Sequence, residues 1–501
     1  MNQLTPALIL TLVGGYFLLL ILISYLTSRK ADSDDFFVGG RQSPWFVVAF
    51  GMIGASLSGV TFISVPGAVG ATPELMEMLT GKATVRPNVF FSYMQLVFGY
   101  VLGYAVIALV LLPIYYRMNL TSIYTYLGNR LGVSSYKTGA AFFLLSRVIG
   151  ASFRLFLVAI VLQKFVMDAY GVPFWLTVFL TILLIWIYTY RGGIRTIVWT
   201  DTLQTLCMLG AVILTIFAIG NAFDTNFFGL VGIVQESEYS RMFFFDEGWS
   251  DPNNFVKQFL GGALITIVMT GLDQDMMQKN LSCRNLRDAQ KNMFTLSIVL
   301  VFVNLLFLML GALLYLYADQ IGLAIPARTD QLYPTLALQH LSPVIGIAFV
   351  LGLIAAAYSS ADSALTALTT SFCVDFLNFG TQNRSEQEKQ RTRLVVHVGF
   401  SILLLAVIIG FKSLNNDSVI NNLFTFATYT YGPLLGLFSF GMFTNRRIVQ
   451  PLLVPVICIV APVATYLLDQ YLTSMGVTLG FLTLALNGVL TFLGLWVVSQ
   501  R

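Results

Sequence analysis

Ile354 to Phe376 reads IAAAYSSADSALTALTTSFCVDF. At about 100° per residue, Ser359, Asp362, Ser363, Thr366 and Thr370 fall on one narrow stripe of a helix, with Ser360 at its edge. The chain on either side is apolar enough to lie in a bilayer. An ionised carboxylate at membrane depth costs about 2.5–3.5 kcal/mol even on insertion scales, so the stripe is expected to face other helices or a water-filled cavity.

The surrounding composition sets the class. Of 501 residues, 57% are hydrophobic and 10% charged, and the mean hydropathy is +0.79. Thirteen apolar spans are read and numbered from zero: 7–27, 44–70, 89–116, 138–167, 173–190, 196–222, 254–278, 293–318, 342–374, 394–411, 419–444, 448–468 and 475–499. This is an all-α polytopic membrane protein, multi-pass in the plasma (cytoplasmic) membrane. No charged n-region precedes Ala7 to Leu26, so the first span is read as retained rather than cleaved. Counted by alternate loops, 19 of the 28 lysines and arginines collect on one face and seven on the other. The positive-inside rule then puts the N-terminus outside and the C-terminus in the cytoplasm. The remaining two, Arg147 and Arg154, lie inside span three.

Several functions are disfavoured at once. A net charge of +4 with basic residues spread through loops argues against nucleic acid. Cys207, Cys283, Cys373 and Cys458 are widely separated and read as free thiols. His340 and His397 have no acidic or cysteine neighbour that suggests a catalytic pair. No GxxxxGK[ST] loop is present to hold a nucleotide. Phe223 to Asn253 is read as an acidic external loop, Tyr333 to His340 as a short helix in another, and Asn383 to Arg393 as a solvated cytoplasmic linker.

Two spans carry breaks at matching places. In span one, GMIGASLSGVTFISVPGAVG sets Gly51, Gly54 and Gly59 around Ser56 and Ser58, with Pro66 and Gly67 beyond. In span six, GGALITIVMTGLDQDMMQK sets Gly271 before Asp273, Gln274 and Asp275. Spans one and six are five apart, as an inverted five-helix repeat predicts, with solute and ions held at discontinuous helices. The competing reading is that the glycines only permit close helix packing.

Four passages in this order resemble the sodium/solute symporter family, which includes sodium-coupled sugar, proline, sialic acid, iodide and vitamin transporters. They are SLSGVTFISVPGAVG from Ser56, GGIRTIVWTDTLQT from Gly192, GLDQDMMQKNLSCRNLRDAQKNM from Gly271, and AAAYSSADSALTALTTSFCVDF from Ala355. The resemblance implies a LeuT-like five-plus-five inverted repeat with one leading and two trailing helices. Residues 1–43 would form the leading helix and linker, 44–222 the first repeat, 223–253 the external loop, 254–444 the second repeat and 445–501 the trailing helices. It implies Na⁺ as coupling ion, no cofactor, a small-molecule solute, the lipid bilayer as surroundings and no obligatory protein partner.

Carried over by position, the family's principal sodium site comprises the carbonyls of Gly54, Leu57 and Ala356 and the hydroxyls of Ser359 and Ser360. The alternative for the two serines is back-bonding to their own helix. A second sodium site in some members would use Asp201 with Ser359, Asp362 and Ser363. Asp362 departs from the usual serine or threonine there. Two carboxylates so placed would raise the affinity for a cation or leave one carboxylate protonated, and a salt bridge from Asp362 to an arginine is the third option. The alternative for Asp201 is contact with water or Arg195 at the cytoplasmic end of its span.

The solute site is less well marked. The glutamine of span one, tyrosine of span six and glutamine of span ten that serve the sugar-carrying branch align with Thr61, Met269 and Thr425, none of which keeps that chemistry. Ser58, Asp273 and Tyr429 complete the candidate set. Arg147 and Arg154, seven apart, share nearly one helix face, and a guanidinium fork suits a carboxylate. An anionic solute, a carboxylate or acidic sugar, is therefore expected. The alternatives are an arginine paired internally with Asp273 or Asp362, and a neutral sugar or vitamin-like solute. Tyr429 and Tyr431, before Gly432 and Pro433, are read as an external gate or as packing. A sensor built on the same scaffold would carry a cytoplasmic module, whereas the chain stops at Arg501 just after the last span, and an intramembrane enzyme would want convergent His, Cys or carboxylates. Neither is favoured.

Overall fold

The computed structural model describes residues 5–28, 33–80, 87–190, 192–246, 248–379, 385–414 and 419–500, without the side chains of 6, 33, 34, 60, 80, 165, 414 and 419–425. Fifteen principal helices carry the architecture. They are α1 (Pro6–Ser28), α2 (Trp45–Ser56), α3 (Gly59–Ala68), α4 (Tyr93–Arg117), α5 (Val133–Leu162), α6 (Phe174–Thr189), α7 (Ile194–Ala222) and α8 (Phe255–Gly271). There follow α9 (Gln274–Leu281), α10 (Leu286–Gln320), α11 (Pro343–Phe376), α12 (Glu386–Leu414), α13 (Val419–Phe443), α14 (Leu453–Ser474) and α15 (Thr483–Val497). Every expected span is occupied by one helix or one broken pair. Among the described residues, nine helices are long and apolar enough to cross a membrane, and the two broken pairs bring this to eleven. The spans at α10 and α12 begin about two turns earlier than hydropathy alone suggests. Their first turns, LRDAQK and EQEKQR, are charged helix that extends beyond the apolar stretch.

Both breaks are present. Helix α2 ends at Ser56, where Leu57 (φ −91°, ψ 88°) and Ser58 (φ −73°, ψ 172°) leave helical geometry, and α3 resumes at an angle of 59°. Pro66, which also looked like a breaker, lies inside α3. The second break falls at Leu272 and Asp273, between α8 and α9, with a bend of 66°. Asp273 adopts extended geometry and accepts from the amides of Asp275 (2.9 Å) and Met276 (3.4 Å), so the new helix starts on a side-chain cap.

The stripe of α11 lies at the centre. The apolar window of this span is 78% buried within the protein, against 28% for α1, 17% for α12 and 22% for α14, whose remaining surface is left for lipid. Helix α11 packs on α7, α5, α2 and α3, which brings the first break beside it. A Cβ placed on Gly59 would lie 3.8 Å from the Ala357 amide of α11.

The glycines serve packing as well as the breaks. Where α4 crosses α8, a Cβ on Gly99 would come within 2.0 Å of the Phe259 carbonyl, and one on Gly262 within 2.1 Å of the Leu96 carbonyl. The two backbones touch through reciprocal glycines. The connection over 223–253 carries a helix over Phe227–Glu236 and is bonded back onto α4, with the Phe244 amide on Gln95 Oε1 (3.0 Å) and Gln95 Nε2 on the Asn253 carbonyl (2.8 Å). The short helix expected at Tyr333 to His340 is present as Leu332–Thr335 continued by a wider turn to His340.

Gly262→Val is expected to separate α4 from α8 at a cost of about 1–3 kcal/mol or more, read as a lower melting temperature in detergent. Gly210→Ala, where nothing lies within 4 Å, should leave it unchanged.

Candidate functional site

The two breaks treat their freed backbone groups differently. At the second, the Tyr115 hydroxyl donates to the Gly271 carbonyl (2.9 Å) and the Tyr124 hydroxyl to the Leu272 carbonyl (3.0 Å). At the first, the Gly54 amide donates to Thr205 Oγ1 of α7 (3.0 Å), but no described side chain donates to the carbonyls of Gly54 or Leu57. Buried carbonyls need partners. Those of the second break are met by tyrosines, whereas those of the first have no side-chain donor among the described residues.

Opposite the first break stand the hydroxyls of α11. Ser360 Oγ donates to the Ala356 carbonyl at 3.4 Å, the back-bond foreseen as an alternative, which still leaves oxygen lone pairs on both groups. Ser359 Oγ instead donates to Asp201 Oδ1 of α7 at 2.7 Å. Asp201 is fully buried and does not meet Arg195, which pairs with Asp35 at 2.6 Å. Its ionic partner is Lys279 of α9, with Nζ 2.7 Å from Asp201 Oδ2 and the lysine 1% exposed. By sequence Lys279 counts with the loop charges, as one basic residue at the polar end of a span. The bend at Asp273 turns α9 inward and buries it.

Asp362, also fully buried, accepts from the Tyr188 hydroxyl of α6 at 2.8 Å and from the Ser363 amide at 2.5 Å. No arginine reaches it among the described residues, which removes the salt-bridge option. Ser363 Oγ and Thr366 Oγ1, on the same stripe, are buried without a hydrogen-bond partner among the described residues.

A second cluster surrounds a cavity between α5, α8 and α13. Its lining includes Ser146, Arg147, Arg154, Met269, Ala427 and Tyr431. Three residues expected at the solute site, Arg147, Arg154 and Met269, thus converge. Arg147 is ion-paired with Asp275 and lies 3.8 Å from Asp273, the internal pairing weighed as an alternative. Tyr431 donates to Asp273 Oδ2 at 2.5 Å. Arg154 differs, having no ion pair or hydrogen bond among the described residues, and its Nε is buried without a partner.

The other solute candidates are placed as follows. Ser58 is buried at the first break and Thr61 half-buried in α3. The side chain of Thr425 lies outside the described residues. Tyr429 turns away from the cavity, its ring 6.1 Å from that of Tyr466 in α14, and Tyr431 takes the position assigned to it. Sequence reasoning missed Lys279, Asp275, Tyr188, Tyr115 and Tyr124 as site-forming groups. Only Asp275 carried a local signal, as one of two acids beside a glycine in an apolar span.

The sequence profile of the sodium:solute symporter family matches residues 36–450. The sodium/sialic acid symporter SiaT of Proteus mirabilis is 24% identical over 95% of this chain and 93% of its own. The sodium/sialic acid symporter NanT of Aliivibrio fischeri is 24% identical over 88% of this chain and 83% of its own. A solved Na⁺-coupled sialic acid symporter, in a substrate-bound outward-open state, superposes with a TM-score of 0.80 at 20% identity, covering 97% of this chain and 96% of the other. The two broken helices and the central hydroxyl stripe thus sit in a LeuT-like fold, and the chain belongs to the sodium:solute symporter family.

Proposed function

We propose that this protein imports an acidic sugar of the sialic acid class, driven by inward sodium movement, with Arg154 as the group that takes the solute carboxylate. Arg147 is neutralised by two carboxylates, whereas Arg154 forms no ion pair among the described residues, faces the same cavity and has a guanidinium fork that suits one anion. The two relatives described above are named for sodium and sialic acid. Tyr431 and Ser146 supply hydroxyls for the sugar, and Met269 an apolar wall.

In this reading the first sodium ion sits at the first break. Its ligands are the carbonyls of Gly54, Leu57 and Ala356 and the hydroxyls of Ser359 and Ser360, an oxygen set with little net charge that suits a hard monovalent cation. The support is the contrast between the breaks: among the described residues the Gly54 and Leu57 carbonyls lack the side-chain donors that close the other one. Sodium binding joins the break to α11 and raises solute affinity, and by linkage solute raises sodium affinity equally.

The second site, Asp201 with Ser359, Asp362 and Ser363, already holds a cation in the form of the Lys279 ammonium. Sodium takes Asp201 only when α9 withdraws the lysine. Residues 44–222 and 254–444 then act as the two repeats that rock about the site. The membrane is the plasma membrane, the N-terminus outside and the C-terminus cytoplasmic, and no covalent chemistry or obligatory protein partner is involved.

Uptake of N-acetylneuraminate into proteoliposomes should require an inward Na⁺ gradient, and equal uptake of neutral hexoses would overturn the assignment. Arg154→Gln should raise KM for N-acetylneuraminate roughly 10- to 100-fold, the loss of a charge-assisted hydrogen-bond pair at about 1.5–3 kcal/mol. Ser360→Ala should raise the Na⁺ concentration for half-maximal uptake, and an unchanged value would remove it from the first site. Asp201→Asn should abolish the sigmoidal sodium dependence, provided the wild type shows one; a hyperbolic wild type would mean that Lys279 never yields.

A further inference from the structure

Helix α13 lines the cavity and carries Pro433 in its interior. Proline has no N–H, so the carbonyl four residues back, that of Tyr429, loses its helical donor. Water does not supply one inside a bilayer. The donor comes from α15. Asn487 is fully buried, and its Nδ2 donates to the carbonyls of Tyr429 (3.0 Å) and Thr428 (3.2 Å). The approach depends on Gly432, since a Cβ there would lie 2.2 Å from Asn487 Cγ. A proline that frees a carbonyl, a glycine that admits an amide and an asparagine that fills the gap form one unit across two helices.

Tyr431 lies between the two bonded carbonyls and Pro433, and it is the residue of α13 that reaches Asp273. Tyr431 and Pro433 lie in one continuous helix, so the direction in which α13 presents Tyr431 depends on how its backbone is held at the position where the proline removes a rung of the ladder. We propose that Asn487 is a positioning residue of the transport site: by satisfying the carbonyls before Pro433 it fixes the course of α13 past the proline, and so holds Tyr431 on Asp273 and the cavity face of α13 against Arg147 and Arg154. The second trailing helix is then part of the transport machinery, although it touches neither solute nor ion. This rests on the cavity being the solute site, but its test does not need the solute.

The test is a thiol introduced by Ala427→Cys on the cavity face, in a Cys207→Ala background, labelled with a charged methanethiosulfonate reagent in sodium-containing nanodiscs. Asn487→Ala, and Asn487→Asp, which keeps the volume but not the donor, should each shift the labelling rate by about fivefold or more. In the Pro433→Ala background the Tyr429 carbonyl regains its own donor, so adding Asn487→Ala should change the rate by less than about twofold, as double-mutant logic requires of a shared interaction. Thr491→Val, one turn along the same packed face of α15, should leave the rate unchanged. If Asn487→Ala fails to fold, Asn487→Asp and the Pro433→Ala pair still decide the matter. An unchanged rate in the Asn487 variants, or a full shift retained with Pro433→Ala, overturns the proposal. Failure of N-acetylneuraminate uptake would leave these rates untouched and count only against the choice of solute.

Discussion

The structure depends on one constraint: inside a bilayer every backbone N–H and C=O must be satisfied by the protein. Interrupting a helix there frees polar groups that water does not reach, and most of those freed in this chain are met by side chains. Tyr115 and Tyr124 close the carbonyls at Gly271 and Leu272, the side chain of Asp273 takes the first amides of α9, and Tyr315 donates to the Gly67 carbonyl at 2.6 Å near the end of α3. Among the described residues the carbonyls at Gly54 and Leu57 have no such donor, and a bound cation would complete the same accounting. On this view an ion site is a break whose carbonyls are left without side-chain donors.

The short helix α9 distributes the charge. Its cap and two turns carry Asp273, Asp275 and Lys279, which reach Arg147 on α5, Tyr431 on α13 and Asp201 on α7. Through Ser359 the last of these continues to α11. Removing one partner from a buried ion pair costs about 3–5 kcal/mol because the other is left unpaired. A rearrangement that exchanges partners, with sodium for Lys279 at Asp201, avoids leaving a charge alone. That makes α9 a natural element to move between states, since its charges contact both the proposed ion and solute sites.

Much of this was legible before any coordinates. The spans, the two breaks and the polar stripe of α11 are local patterns of hydropathy and glycine spacing, and they survive because the bilayer forces each span to satisfy itself. Arg147 and Arg154 were identifiable as costly charges in an apolar helix. Their roles were not, because residues on nearly the same helix face are distinguished only by what packs opposite. Asp273 and Asp275 face Arg147, while Arg154 forms no ion pair among the described residues. Tyr429 and Tyr431 show the same limit: two residues apart on one helix, one faces the trailing helix α14 and the other the cavity.

By itself, then, the sequence determined the class of protein, the order of its helices, the places where they break and which residues carry a charge or hydroxyl too expensive to be there without a partner. These follow from the cost of polar groups in hydrocarbon, which is paid residue by residue. Only the tertiary structure decided the pairings: Lys279 with Asp201, Arg147 with Asp275, Tyr188 with Asp362, Asn487 with the carbonyls before Pro433. A bend of 66° at the second break converts an apparent loop lysine into a buried counter-ion. The direction of a bend is set by the helices packed around it, and no local spacing encodes that.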